Sequence, residues 1–181
     1  GIASLAFDPA GRYLASAAGD HLVFLHDLTT DKVIGRFDHH RQRVNSVAFS
    51  ADGQKLVSGS GDRTVAILDV ESGTIEKRID DLGAHVNHVS FDATGDRLLV
   101  ADSDGFITII ELKPDGSRRR LPPHDLPAVW ARFGPKEGTV TSVSLGGEIR
   151  IFDLGSSKID RLPRRPVLHL GLTPPVTAKW S

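Results

Sequence analysis

The chain has 181 residues, of which 39% are hydrophobic and 25% are charged, and its formal net charge at pH 7 is -1. These values are typical of a folded domain and argue against intrinsic disorder and against a global field that attracts nucleic acid or acidic membranes. The absence of cysteine excludes disulfides, thiolate chemistry and cysteine-based zinc sites.

A repeat of 42 residues runs through most of the chain. A shift of 42 superimposes four phenylalanines, which are Phe7, Phe49, Phe91 and Phe133. A fixed period of this length indicates a repeat architecture. Each repeat contains four short runs rich in Val, Ile, Leu, Phe and Thr, and turn signals such as Asp-Gly and Ser-Gly separate the runs. The sequence therefore predicts four strands per repeat and no helix.

The predicted units follow one another without gaps. In chain order they are the repeats 1–43, 44–85, 86–127 and 128–163, a proline-rich connection 164–175, and the first strand of a further, truncated repeat, 176–181. The first repeat begins directly on its first strand, and the chain starts at Gly1 and contains no Met. Trp180 and Ser181 resemble Phe49 and Ser50, so we expect this chain to be part of a larger object.

The second repeat shows the pattern most fully. It has a Val-x-x-Val-x-Phe-Ser start at 44–50, an Asp-Gly turn at 52–53, the segment Ser-Gly-Ser-Gly-Asp at 58–62 and the strand Ile-Leu-Asp-Val at 67–70. This unit resembles a blade of the WD-repeat β-propeller family, and the resemblance covers residues 2–161. It implies an all-β fold, a propeller built of four-stranded antiparallel blades.

The resemblance also implies a structural role for several polar residues. In WD-repeat blades a His before the first strand, a Ser or Thr on the second, an Asp in the next turn and a Trp on the third strand form a buried hydrogen-bonded network. His40, Ser58 and Asp62 match the first three places, and Leu68 replaces the Trp. The other members of this predicted network are Ser16 and Asp20 in blade 1, Asp104 in blade 3, and His124 and Ser142 in blade 4, where Gly146 replaces the Asp.

Three other types of chemistry compete with this interpretation. His40, Ser58 and Asp62 are also the residue types of a hydrolase triad, which is the enzymatic alternative. The segment Asp102-Ser103-Asp104-Gly105 matches part of a calcium-binding loop, but it lacks the first ligand and flanking helices. The basic residues Arg118, Arg119, Arg120, Arg164 and Arg165 are the nucleic-acid alternative, against the simpler interpretation of an exposed outer strand.

Family geometry places the loops 38–43, 80–85 and 122–127 on the same side as the turns 59–63, 101–105 and 144–148, and we call this side the top face. Its predicted partner-binding residues are Arg41, Arg43, Asn45, Arg63, His85, Asn87 and Trp130. Arg and Trp are the residue types that most often dominate binding energy, which favours Arg43 and Trp130. Trp130 could equally fill space between blades.

The predicted function is that of a non-catalytic scaffold or sensor module in a larger regulatory protein. We expect a protein or peptide partner on the top face, further blades from the same or another chain, no cofactor or metal, and no membrane partner. Nucleic acid is a less favoured partner. No long apolar run or charged leader occurs in the sequence, so a cytoplasmic location is the expectation.

Overall fold

All regular elements of the described residues are β-strands. The structure, a computed structural model, describes residues 1–113, 116–156 and 158–162. The proline-rich connection and the truncated repeat predicted for 164–181 lie outside these ranges. Among the residues described, no helix is long and apolar enough to cross a membrane.

Within the described residues, sixteen strands form four antiparallel sheets, and each sheet takes its four strands from one repeat. Blade 1 contains β1 (Ile2–Phe7), β2 (Tyr13–Ala18), β3 (Val23–Asp27) and β4 (Lys32–Phe37). Blade 2 contains β5 (Val44–Phe49), β6 (Lys55–Ser60), β7 (Val65–Asp69) and β8 (Ile75–Ile79). Blade 3 contains β9 (Val86–Phe91), β10 (Arg97–Asp102), β11 (Ile107–Glu111) and β12 (Arg118–Arg120). Blade 4 contains β13 (Ala128–Phe133), β14 (Thr139–Ser144), β15 (Ile149–Asp153) and β16 (Ile159–Leu162).

The strands of each blade pair in sequence order, as tight turns between neighbouring strands dictate. The first strand of each blade packs beside the first strand of the next, in the order β1, β5, β9 and β13. We call these four the inner strands. The all-β fold and the WD-type blades predicted from the repeat are therefore confirmed.

Three apolar clusters hold successive blades together. One lies between blades 1 and 2 around Leu25 and Leu56, one between blades 2 and 3 around Ile67 and Leu98, and one between blades 3 and 4 around Ile109. Blades 2 and 3 are covered on both faces, so β6 and β10 are buried at nearly every position. The middle strands of blades 1 and 4 instead alternate between buried and half-buried residues.

That alternation shows that the first and last blades each have one open face. In blade 1 the open face includes Leu5 and Phe7, which are 55% and 64% exposed, whereas Val47, which corresponds to Leu5, is buried against blade 1. On the far side of blade 4, Val143, Ile149 and Ile151 are half-buried.

Candidate functional site

Backbone hydrogen bonds hold the loops and turns of the top face together. The amide after each second strand donates to the carbonyl of the residue just before the first strand of the same blade. The four bonds are Gly19 to Gly1 at 3.2 Å, Gly61 to Arg43 at 2.9 Å, Ser103 to His85 at 2.9 Å and Leu145 to Pro127 at 2.8 Å. These bonds recur at the 42-residue period, so each blade presents its loop and its turn side by side.

In blade 2, His40 lies between the second strand and the turn that follows it. Its Nε2 is 2.9 Å from Ser58 Oγ, and its Nδ1 is 3.2 Å from Asp62 Oδ2 and 3.0 Å from Thr64 Oγ1. Burial lowers the pKa of His40, so the ring is neutral at pH 7. Burial acts to raise the pKa of Asp62, but hydrogen bonds led by that from Thr64 outweigh it and lower the value to about 2.

A second histidine, which the sequence pattern did not single out, reaches the same hydroxyl. His39 Nε2 is 2.9 Å from Ser58 Oγ, and the two imidazole rings are 4.4 Å apart. Burial lowers the pKa of His39 to about 4. The His-His pair before β5 was the available signal, because two adjacent histidines offer two rings to one buried serine.

The distances in this cluster are those of a hydrolase triad, but the surroundings differ. Ser58 is 0% exposed, and its hydroxyl is shared between two imidazole rings. A nucleophilic serine must reach a substrate carbonyl and have a site that stabilises the oxyanion. Because Ser58 is buried between strands, its hydroxyl joins the loop to the sheet and does not face a substrate cleft.

Blade 4 has a network of the same shape with a different carboxylate. His124 Nε2 is 2.7 Å from Ser142 Oγ, and Nδ1 is 2.8 Å from Glu148 Oε2. Glu148 corresponds to Thr64 and not to Asp62, and it stands two residues beyond Gly146, where the pattern expects the Asp. Arg150 is 1% exposed and lies 3.0 Å from Glu148. The hydrogen bond from Arg150 is the first cause that lowers the pKa of Glu148 to about 2.

Sequence reasoning missed both Glu148 and Arg150, although a signal was present. Glu148 immediately precedes β15 and Arg150 is the second residue of that strand, so the two side chains point to one side of the sheet, next to the apolar residues Ile149, Ile151 and Phe152. Arg150 also donates to the carbonyl of Pro123 at 2.7 Å. An opposite-charge pair on the inward side of an apolar strand indicates a buried ion pair.

Blade 3 lacks the full network because no histidine stands before its first strand at this position. In blade 3, Leu82 corresponds to His40, and Asp104 is exposed with no side-chain hydrogen bond among the residues described. Asp102 holds the turn instead, since its Oδ1 accepts from the amides of Asp104 and Phe106 at 3.0 and 2.9 Å. In blade 1, Ser16 Oγ is 3.4 Å from His26 Nε2.

Among the contacts of the described residues, the exposed Asp20 in blade 1 accepts only a long hydrogen bond, 3.4 Å, from the amide of Leu22. In the described part of the chain, no group of three or more His, Asp or Glu side chains is placed to hold a metal ion.

Four of the seven predicted partner-binding residues make contacts within the propeller. Asn45 donates to the carbonyl of Val86 at 2.7 Å, and Asn87 donates to that of Ala128 at 2.9 Å. His85 Nδ1 donates to the carbonyl of Gly61. Trp130 is half-buried beside His88, with the two ring centroids 5.9 Å apart.

The other three, Arg41, Arg43 and Arg63, are exposed on the top face of blade 2. None of their guanidinium groups has a hydrogen-bond or ion-pair partner among the residues that the structure describes. Arg41 and Arg63 line a hollow of about 930 Å³. Arg78, which lines the same hollow, is already bound to Asp80 and to the carbonyl of His39.

The backbone of Arg63 has a conformation that is unfavourable for residues other than glycine. Its φ is 66°, in the left-handed region, and the corresponding positions of blades 3 and 4 are Gly105 and Gly147. A non-glycine residue there costs on the order of 1 kcal/mol. A Cβ at Gly105 would meet the carbonyl oxygen of His124, so that position needs glycine for space as well. Blade 2 therefore carries a guanidinium where blades 3 and 4 have no side chain.

The arginines of β12 are held by contacts within the fold. Arg118 donates to the carbonyls of Asp80 and Asp81, and Arg119 donates to that of Leu154 at 3.0 Å. Arg120 lies 3.3 Å from Asp102 and 3.9 Å from the centre of the Phe106 ring. These contacts leave fewer free donors for phosphates. Arg164 and Arg165, the rest of that predicted patch, lie outside the described residues.

Comparison with known proteins agrees with the fold and the repeat. A family model described as WD domain, G-beta repeat matches residues 1–27, 31–69 and 76–111, which correspond to the first three blades. A comparison with curated proteins gave no match. The matched segments cover more than half of the chain, and the fourth sheet repeats their strand order. The chain therefore belongs to the WD-repeat family, whose members serve in general as protein-interaction scaffolds.

Proposed function

We propose that this chain is a non-catalytic interaction module that binds an acidic segment of a partner protein through the top face of blade 2. The observation that carries the proposal is the set of exposed guanidinium groups of Arg41, Arg43 and Arg63. The backbone bond from Gly61 to Arg43 brings the loop and the turn that carry them together. Guanidinium groups form bidentate hydrogen bonds with carboxylates and phosphates, so three of them on one face favour an anionic partner.

The chemistry of the surroundings supports the same choice. The hollow beside Arg41 and Arg63 also contains Asp62 and Asp80, but each of these carboxylates is already bound. Asp62 accepts from the Arg41 amide at 2.7 Å, and Asp80 accepts from Arg78 at 2.9 Å. Asp38 and Asp81 also line the hollow, and their exposed carboxylates have no partner among the residues described. Three free guanidinium groups therefore stand beside two free carboxylates on this part of the face, and a partner that brings carboxylates would pair with the positive excess.

The test measures binding of immobilised acidic and phosphorylated peptides to the chain and to two variants of equal net charge. One variant carries Arg41→Gln, Arg43→Gln and Arg63→Gln. The matched control carries Lys32→Gln, Arg36→Gln and Lys136→Gln, which are exposed and lie away from the top face of blade 2. We expect the first variant to bind about 10-fold more weakly and with a flatter salt dependence, because each rim charge contributes roughly 0.2–1 kcal/mol.

The control separates a specific face from general attraction. If both variants lose affinity equally, only net charge matters and the top face has no special role. If the chain binds no acidic or phosphorylated peptide, the proposal is wrong.

A further inference from the structure

The side chains that connect each inner strand to the next are absent from blade 4. In blades 1 to 3, short polar side chains of one inner strand bond to the backbone of the following one. The bonds are Ser4 with the amide of Val47 at 3.2 Å, Ser46 with the amide of Val89 at 3.2 Å, Asn45 with Val86 O at 2.7 Å, Asn87 with Ala128 O at 2.9 Å, and Ser90 with Ala131 O at 3.0 Å. At the corresponding positions of β13 stand Val129, Trp130 and Arg132.

These residue differences remove from β13 the side chains that form hydrogen bonds to the next inner strand in the other blades. Val129 has no donor to replace the asparagine amide of the two preceding blades. Trp130 and Arg132 are far larger than Ser46 and Ser90, which stand at the corresponding positions of blades 2 and 3, so neither side chain can form the same short bridge to a following inner strand. The inner edge of blade 4 therefore presents an indole and a guanidinium group in place of strand-to-strand bridges.

These two side chains line a groove beside the inner strands, which we call the axial groove and define by Phe49, His88, Phe91, Trp130 and Arg132. Four of the five line a cavity of about 710 Å³. A smaller hollow of about 240 Å³ shares these residues and adds His88. Pockets of some 300–1,000 Å³ with apolar walls and few polar groups are typical binding sites.

Two polar side chains of the axial groove, Arg132 and His88, have unpaired groups, whereas the carboxylate of Asp92, which lines the same cavity, pairs with Arg97 at 2.9 Å. Arg132 is exposed, and within the described residues its guanidinium has no hydrogen-bond or ion-pair partner. His88 Nδ1 is buried and also lacks a partner in that part of the chain. Burial lowers the pKa of His88 to about 4, so this ring is neutral at pH 7. The groove thus combines aromatic walls, one uncharged polar ring and one uncompensated cation.

We propose that the axial groove binds a protein segment in which an acidic side chain stands next to an aromatic or aliphatic one. The carboxylate pairs with Arg132, and the apolar side chain packs on Trp130 and Phe91. A single cation between aromatic walls suits one carboxylate better than the line of phosphates in a nucleic acid, which needs a row of basic residues. This site is separate from the top face, and its partner need not be the same protein.

The experiment selects peptides from a random displayed library on the 181-residue chain with Trp180→Phe, so that Trp130 is the only tryptophan. We expect enrichment of peptides with Asp or Glu beside an aromatic or aliphatic residue, and these peptides should change the Trp130 fluorescence. Arg132→Gln should weaken their binding about 10-fold or more, because a hydrogen bond to a charged group is lost. The control Lys32→Gln, which removes the same charge elsewhere, should leave binding unchanged.

Other results would overturn the proposal. The proposal is wrong if the enriched peptides bind the Arg132→Gln variant as tightly as the unchanged chain. It is also wrong if every enriched peptide loses its binding in the variant with Arg41→Gln, Arg43→Gln and Arg63→Gln. The second result would leave the proposed function of the top face intact. Quenching of Trp130 by a mixed-sequence single-stranded DNA, without any by peptides, would assign the groove to nucleic acid. Because Arg132 is exposed, its replacement leaves the fold in place, which a urea unfolding curve checks.

Discussion

Ser58 is the residue at which the catalytic and the structural interpretations of blade 2 diverge. Its hydroxyl bonds to both His39 and His40 and is completely buried. We predict that Ser58→Ala lowers the free energy of unfolding by about 1–3 kcal/mol, because the substitution leaves buried ring nitrogens without a partner. Urea unfolding of the two proteins measures this difference.

A matched serine provides the control for this prediction. Ser72 also forms a side-chain hydrogen bond, to Thr74 at 2.8 Å, but it lies in an exposed turn. We expect Ser72→Ala to change the unfolding free energy by no more than about 0.5 kcal/mol. If Ser58→Ala is equally mild, the buried network does not stabilise the blade and the structural interpretation fails.

At the scale of the element, the ion pair of Glu148 and Arg150 is the feature that distinguishes blade 4. Glu148 accepts from His124, and Arg150 stands at the position that corresponds to Ala66 in blade 2. We predict that Glu148→Ala lowers the free energy of unfolding by about 3–5 kcal/mol, because it leaves the guanidinium of Arg150 buried and unpaired. Thermal or urea unfolding measures the loss.

A variant that carries the blade 2 residues at these positions tests whether the loss of stability comes from the unpaired charge of Arg150. The variant with Gly146→Asp, Glu148→Thr and Arg150→Ala removes the cation and restores an Asp and a Thr beside His124. We expect it to be more stable than Glu148→Ala. If this variant is less stable than the single substitution, the cost lies in the space left by Arg150 and not in its charge.

The same blade shows how far the sequence could predict the structure. The 42-residue period gave the strand order, because local turn signals and apolar runs determine an antiparallel meander. It could not give the carboxylate of blade 4, since Glu148 reaches His124 from a position two residues beyond Gly146, where the pattern expects the Asp. It also did not separate Trp130 from the top face, because the direction of that side chain depends on the packing of neighbouring inner strands.

At the scale of the molecule, the described residues form a row of four blades, and the first and last of these blades each have an open apolar face. Leu5 and Phe7 are exposed on blade 1, and Ile149 and Ile151 are half-buried on the far side of blade 4. The same two kinds of face pack against each other between every pair of successive blades. Each open face is therefore shaped for the other, and exposed apolar patches of this kind favour association.

We predict that the purified 181-residue chain associates with itself through these faces in a concentration-dependent way. Native mass spectrometry should show species larger than the 19.5 kDa monomer. A charge on either contact face opposes burial, so Leu5→Glu and Ile149→Glu should each return the chain to the monomer. Lys32→Glu, on the outer strand of blade 1, should not.

Loss of association in only one of the two face variants would mean that one face pairs with itself, because a contact between the two different faces needs both. If the wild-type chain stays monomeric at every concentration, the two open faces are stable in contact with water. The packing between blades would then give no reason to expect a partner on these faces.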